Sequence, residues 1–140
     1  MRKSNYISRE KLREMGVEKV IFEDNVPIEL VINRGNYKTT VHQCERTCKH
    51  KYGKDLTYMY FCIHYNGKYV SIPVADISYM FGHNVDRIPE GYEVDHIDDD
   101  SLNNDFHNLQ LLTHKDNIRK RKVASNKYIA IEMYGDLLWW

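Results

Sequence analysis

The chain has no net charge: twenty Lys and Arg balance twenty Asp and Glu over 140 residues. It has no apolar run near the roughly 20 residues that a membrane helix requires. Its charged start, "MRKSNYISREKLREMG", has no apolar segment of the secretory-signal type. These absences set a cytoplasmic protein with no membrane partner as the expectation. Cysteine is scarce as well. Three residues, an odd number, agree with a reducing compartment and argue against a disulfide framework. No internal repeat or low-complexity tract is present. What remains is an ordinary globular composition, 42% hydrophobic and 12% aromatic with eleven Tyr. A chain of this length builds one core but not two independent ones.

The zero net charge conceals a pattern. From Arg34 to Lys54, six Lys or Arg face one acid, Glu45. From Asp86 to Asp105, eight acids face one Arg, and from Lys115 to Lys127 six basic residues face Asp116. Taken singly, a basic segment is most often a solvated face. Two basic segments flanking an acidic one look more like phosphate-binding arms around a cation-binding centre.

Local signals organise the chain. Ser8 is an N-cap for a short helix over Arg9 to Met15, with Gly16 as its stop. "VPIELVIN" (Val26 to Asn33) and "YKTTVH" (Tyr37 to His42) read as strands. "TYMYFCIHYNGKYVSI" reads as a hairpin turning at Asn66-Gly67, the dipeptide suited to a type I′ turn. "PVADISYMF" reads as a helix that stops at Gly82. "YEVDH" and "NLQLL" then read as strands around a polar loop, and Thr113 caps a helix over "HKDNIRKRKVASNK", with Asp116 in the capping-box position. "KYIAIEMYGDLLWW" reads as a strand and turn. The expected fold is α+β: an N-terminal antiparallel β-rich region with short helices (1–87), a strand–loop–strand–helix unit (88–123) and a C-terminal strand and turn on the core (124–140).

The polar loop is the chemical centre. Asp95 and His96 end the first strand, and on a regular strand their side chains point to opposite sides, so a local turn must splay them to work together. Asn117 falls near the start of the following helix, where side chains lean back toward the N-terminus and hence toward the strands. A metal held between Asp95 and Asn117 would lie near a helix N-terminus that favours phosphate. As a histidine, His96 is the side chain able to take a proton from water beside that phosphate near neutral pH. Both ligands are hard oxygen donors, which favours Mg²⁺ or Mn²⁺ over Zn²⁺.

With its Asp-His, the Asn twelve residues after the His and the Asn nine further on, "VDHID…NN…NLQLLTHKDN" resembles the HNH nuclease signature, the ββα-metal fold of phage and intron homing endonucleases. His96, Asn108 and Asn117 fill the three offsets. The resemblance spans about Ile88 to Arg121. It implies a phosphodiester hydrolase acting on double-stranded DNA, with His96 as general base and Asp95 and Asn117 as ligands of one divalent cation. It further implies that Asn108 holds the loop and orients His96 through a hydrogen bond, that Asn103 and Asn104 shape the loop, and that the products are 5′-phosphate and 3′-hydroxyl ends. Asp99 stands where the family usually has Gly, and Asp tolerates a left-handed backbone better than most residues.

Other clusters are weaker. Asp98, Asp99 and Asp100 do not form an EF-hand loop, which would have Gly and Glu where Asn103 and Leu109 stand. They read as turn formers, with Asp98 buttressing the loop. Cys44, Cys48 and Cys62, with His42, His50 or His64, could supply structural zinc, but the C-x₂-C knuckle is missing and small buried thiols are the default. Tyr58, Tyr60, Tyr65 and Tyr69 read first as sheet packing and second as a base-stacking platform. Arg119, Lys120, Arg121 and Lys122, together with Lys49, Lys51 and Lys54, are the candidate phosphate contacts, which position DNA without reading its sequence. Eighteen residues follow Lys122, too few for a helix-turn-helix module, so specificity is expected from Met1 to Pro89 or from a homodimer, or is expected to be low. A monomer would nick one strand, and a dimer would cut both.

Overall fold

The computed structural model describes residues 7–49 and 55–123, and every structural statement below concerns those residues. The expected C-terminal strand and turn lie outside them. The architecture is α+β. Helix α1 (Arg9–Glu14) leads into strands β1 (Val17–Glu23), β2 (Val26–Asn33), β3 (Lys38–Cys48), β4 (Leu56–Tyr65) and β5 (Lys68–Pro73), followed by helix α2 (Val74–Gly82). Strands β6 (Tyr92–His96) and β7 (Leu109–Thr113) follow, then helix α3 over residues 114–123. None of the described helices is long and apolar enough to cross a membrane.

The first five strands form an antiparallel meander in sequence order, and β6 and β7 form a separate antiparallel pair. Strand β3 serves two partners. Its first half, Lys38 to His42, pairs with β2, and its second half, Gln43 to Cys48, pairs with β4. The expected cap is present, with Ser8 Oγ accepting the Lys11 N–H at 3.0 Å. Gly16 follows at φ +96°, where a Cβ would come within 2.9 Å of the Asn33 carbonyl oxygen. Asn66 and Gly67 both have positive φ, +51° and +75°, as the type I′ hairpin requires.

Strand β1 is the element with the weakest local signal in the sequence. Two register shifts against β2, between Val17 and Lys19 and between Ile21 and Phe22, break its alternation. Its turn uses Asp24 and Asn25, both at positive φ, rather than a glycine. Strand β3 also runs six residues past the expected end at His42.

Leu30, Ile32, Phe61, Ile63 and Ile72 of the sheet pack against Val74, Ile77 and Met80 of α2, all fully buried. Val94 of β6 and Leu111 of β7 pack against the same cluster, so the polar loop rides on the main core. Phe106 pegs that loop down. Its N–H donates to the Asn25 carbonyl at 3.2 Å, its own carbonyl accepts from His83 Nε2 at 2.8 Å, and its ring meets Phe22 edge-on at 6.3 Å. Gly82 makes room for it: a Cβ there would lie 2.3 Å from the Phe106 ring.

Candidate active site

Strand β6 pairs with β7 so that Asp95 faces Gln110 and His96 faces Leu109. Glu93 and Asp95, two residues apart, share one face of β6. Both are buried, at 5% and 9% exposure. They line a cleft of about 330 Å³ that also receives His96, Asn104, Asn117 and Arg121, with Tyr58 and Tyr60 contributed by β4. Asp95, His96 and Asn117, far apart or awkwardly placed in sequence, therefore meet at one cleft.

The loop from Ile97 to Asn108 is held by side chains. Asp98 accepts from Asn103 Nδ2 at 2.8 Å, from Asn108 Nδ2 at 2.9 Å and from the Asp100 N–H at 2.8 Å. The Asn103 bond first, then those from Asp100 and Asn108, hold its carboxyl down at about 2. Asn108 also donates to the Asn103 carbonyl at 2.9 Å and accepts the Asp98 N–H at 3.2 Å. Asp99 takes the left-handed conformation at φ +62°, in the position where glycine would be usual.

His96 Nε2 lies 2.8 Å from Asn104 Oδ1. That oxygen only accepts, so Nε2 carries the proton and the lone pair of the neutral ring falls on Nδ1. The hydrogen bond expected from Asn108 thus comes from Asn104. Asn108 is drawn into the Asp98 network instead, because its amide satisfies two loop acceptors at once. Asn104 is 2% exposed, and its backbone carbonyl accepts from the buried Ser78 of α2 at 2.6 Å. The His96 ring is therefore anchored through Asn104 to the core helix.

Asp95 is engaged on Oδ2 by Gln110 Nε2 at 2.9 Å and by Lys120 Nζ at 2.7 Å. Lys120 also donates to the His96 carbonyl at 2.8 Å and meets Asp99 Oδ1 at 2.9 Å. Burial alone would lower the Lys120 pKa, but the bonds to Asp95 and Asp99 outweigh it and raise the ammonium above its usual value. The phosphate arm expected of Lys120 is thus turned inward as a clamp, because three oxygens converge on it there. Asn117 Nδ2 donates to Glu93 Oε2 at 2.5 Å, and His114 Nδ1 meets Glu93 Oε1 at 2.8 Å.

Glu93, Ser78, Gln110 and the inward use of Lys120 escaped the sequence reading. Glu93 was findable, since it stands two residues before Asp95 on the same strand face. Among the described residues, no three of His, Cys, Asp and Glu converge where they would share a metal ion. The donor set of Asp95, Asn117 and neighbouring Glu93 fits a hard cation that keeps most of its shell as water and phosphate, not one that demands three or four protein ligands.

The other predicted contacts divide. Arg121 is exposed and lines the cleft, Lys122 and Lys49 are exposed, and Arg119 faces Asp116 at 3.8 Å. Lys51 and Lys54 lie outside the described residues, as does His50. The zinc grouping is reduced to a pair: Cys44 and Cys62 touch at 3.4 Å, while Cys48 lies at the cleft.

Residues 83–119 match the sequence model of a family described as HNH endonuclease, a stretch of roughly a quarter of the chain. The match supports nuclease chemistry and covers the loop, both strands and the start of α3. No curated protein and no solved structure matches the chain.

Proposed function

We propose that this chain is a metal-dependent endonuclease that hydrolyses phosphodiester bonds of double-stranded DNA in the β6–β7–α3 cleft. The observation that carries the reading is the His96 ring, oriented by a buried Asn104 and opening on the same cleft as Asp95 and Asn117, inside the segment that matches a nuclease family.

His96 Nδ1 takes a proton from a water molecule as that water attacks the phosphorus. The bond from phosphorus to the 3′ oxygen breaks, the 3′ oxygen gains a proton, and the products are a 5′-phosphate and a 3′-hydroxyl. Asp95 and Asn117, with Glu93 behind them, would hold one Mg²⁺ or Mn²⁺, which when bound supplies Lewis-acid stabilisation of the charge on the phosphate and the leaving oxygen. Asn104 fixes the ring tautomer, and Ser78 fixes Asn104. Arg121 and Lys122 meet flanking phosphates, and Tyr58 and Tyr60 extend the cleft along the sheet. The homing role, in a phage or intron setting and in the host cytoplasm, follows from the resemblance. One copy nicks, and a pair of copies cuts both strands.

The second reading, a DNA-binding protein on the same scaffold with cleavage lost, draws on the Lys120 ammonium already seated on Asp95. Supercoiled plasmid incubated with the protein in Mg²⁺, Mn²⁺ or EDTA separates the two. Open circles that appear with metal and not with EDTA support the nuclease. Retardation of the DNA on a gel without cleavage in any metal supports the binding protein.

A further inference from the structure

The sheet face turned away from the core carries a group that the proposed hydrolysis does not use. Phe61 and Ile63 of β4 are fully buried in the core, so Cys62 between them points to the other face. Cys44 of β3 pairs with Tyr60, whose side chain shares that face, and Ser71 of β5 pairs with Cys62. The Cys44 and Cys62 sulfurs lie 3.4 Å apart. Arg46 completes the group, donating Nη2 to Ser71 Oγ at 2.8 Å and to Cys62 Sγ at 3.5 Å. Cys44 is exposed and Cys62 half-buried, so a small reagent has access.

Reactive thiols are those whose thiolate is stabilised by cationic and hydrogen-bonding neighbours. Burial works against the Cys62 thiolate, but bonds from Ser71 and Cys44 and the Arg46 guanidinium outweigh it and hold the thiol below its ordinary value. Cys44 is pushed the other way, first by its bond to Cys62 and then by burial. The two sulfurs thus have unequal parts: Cys62 gives up its proton more readily, and Cys44 holds its own more tightly.

We propose that Cys44 and Cys62 are an oxidisable thiol pair that low-molecular-weight disulfides convert to an intramolecular bond. The Cys62 thiolate attacks one sulfur of the reagent disulfide and releases the first small thiolate. Cys44, giving its proton to that thiolate, attacks the Cys62 sulfur of the mixed disulfide and expels the second. Two protein thiols are oxidised and one reagent disulfide is reduced to two thiols. Closing from 3.4 Å to the bond length of about 2.05 Å draws two diagonal positions of neighbouring strands together. A bond with an exposed sulfur is one that a thiol reductant reaches and reopens. It would tie β3 to β4 on the face that carries Tyr58 and Tyr60 into the cleft.

The test incubates the full chain with oxidised glutathione, quenches in acid, alkylates free thiols and maps the peptides by mass spectrometry. The expected product is a Cys44–Cys62 linked peptide that dithiothreitol reverses, with Cys48 alone alkylated. A Cys48→Ser chain should give the same link, and an Arg46→Gln chain should form it at least about fivefold more slowly. Links that involve Cys48, links between chains, a glutathione adduct that goes no further, or no reaction would each overturn the proposal. An unchanged rate in a folded Arg46→Gln chain would overturn the part assigned to the guanidinium.

Discussion

The five-stranded meander and the β6–β7 unit sit on one core but are held by different forces. In the meander, fully buried Leu30, Ile32, Phe61, Ile63 and Ile72 meet α2, and the stabilisation comes from apolar area removed from water. In the loop between β6 and β7, Asp98, Asp99 and Asp100 are exposed, and order comes from Asn103, Asn108 and backbone N–H groups bonding to Asp98. Phe106, Asn104 and Ser101 tie that loop inward, through Asn25, Ser78 and the Thr57 carbonyl, and Lys120 clamps it at Asp99. The scaffold is thus indifferent to ionisation, whereas the geometry of the candidate site depends on it. A loop built in this way keeps its acids exposed and the His96 ring oriented without burying either in a dry core.

Three perturbations sharpen the contrast, in descending size. Phe61→Ala removes a fully buried ring from the sheet core and should cost about 3–5 kcal/mol by urea denaturation. The loss should appear in the whole cooperative transition, and a loss well below 1 kcal/mol would mean that the core is not the common foundation of both regions. Lys120→Met should cost less, about 1–3 kcal/mol, by leaving the buried Asp95 Oδ2 with Gln110 as its remaining described donor. Stability equal to wild type would show that the inward clamp holds nothing. The smallest effect is acid titration of the loop. Asp98 has a folded pKa below its ordinary value, so its contribution is present above that ordinary value and is lost as pH falls through about 2. Carboxyl NMR should find that midpoint, and Asn103→Ala should move it up toward the ordinary range; a wild-type midpoint near 4 would contradict the hydrogen-bond network.

Much of this was legible in the sequence, for reasons that differ by element. The strand Val26–Asn33, the hairpin at Asn66-Gly67, the strand Tyr92–His96 and the cap at Ser8 follow local rules of alternation, turn chemistry and capping, and each stands as expected. The cap at Thr113 also holds, with its Oγ1 accepting the Asp116 N–H at 3.1 Å. Strand β1 was hidden because two register shifts disrupt the alternation on which recognition depends. At the site, spacing brought Asp95, His96, Asn108 and Asn117 to notice. It did not reveal which of two nearby asparagines, Asn104 or Asn108, would bond to His96, because that choice is made by Ser78, 26 residues upstream of Asn104, which fixes the Asn104 backbone. Nor could composition show that Lys120 turns inward while Arg121, its neighbour, lines the cleft. Helical phase decides that, and three converging oxygens fix it.

In the proposed function His96 is the base of a hydrolytic cleft. The most direct test of that role is the rate of plasmid nicking in Mn²⁺ by wild type and by His96→Ala, with the thermal midpoint of each recorded to establish that both are folded. The expected result is a fall of about 100-fold or more at an essentially unchanged midpoint. Wild-type-like, metal-dependent nicking by a folded His96→Ala chain would contradict it.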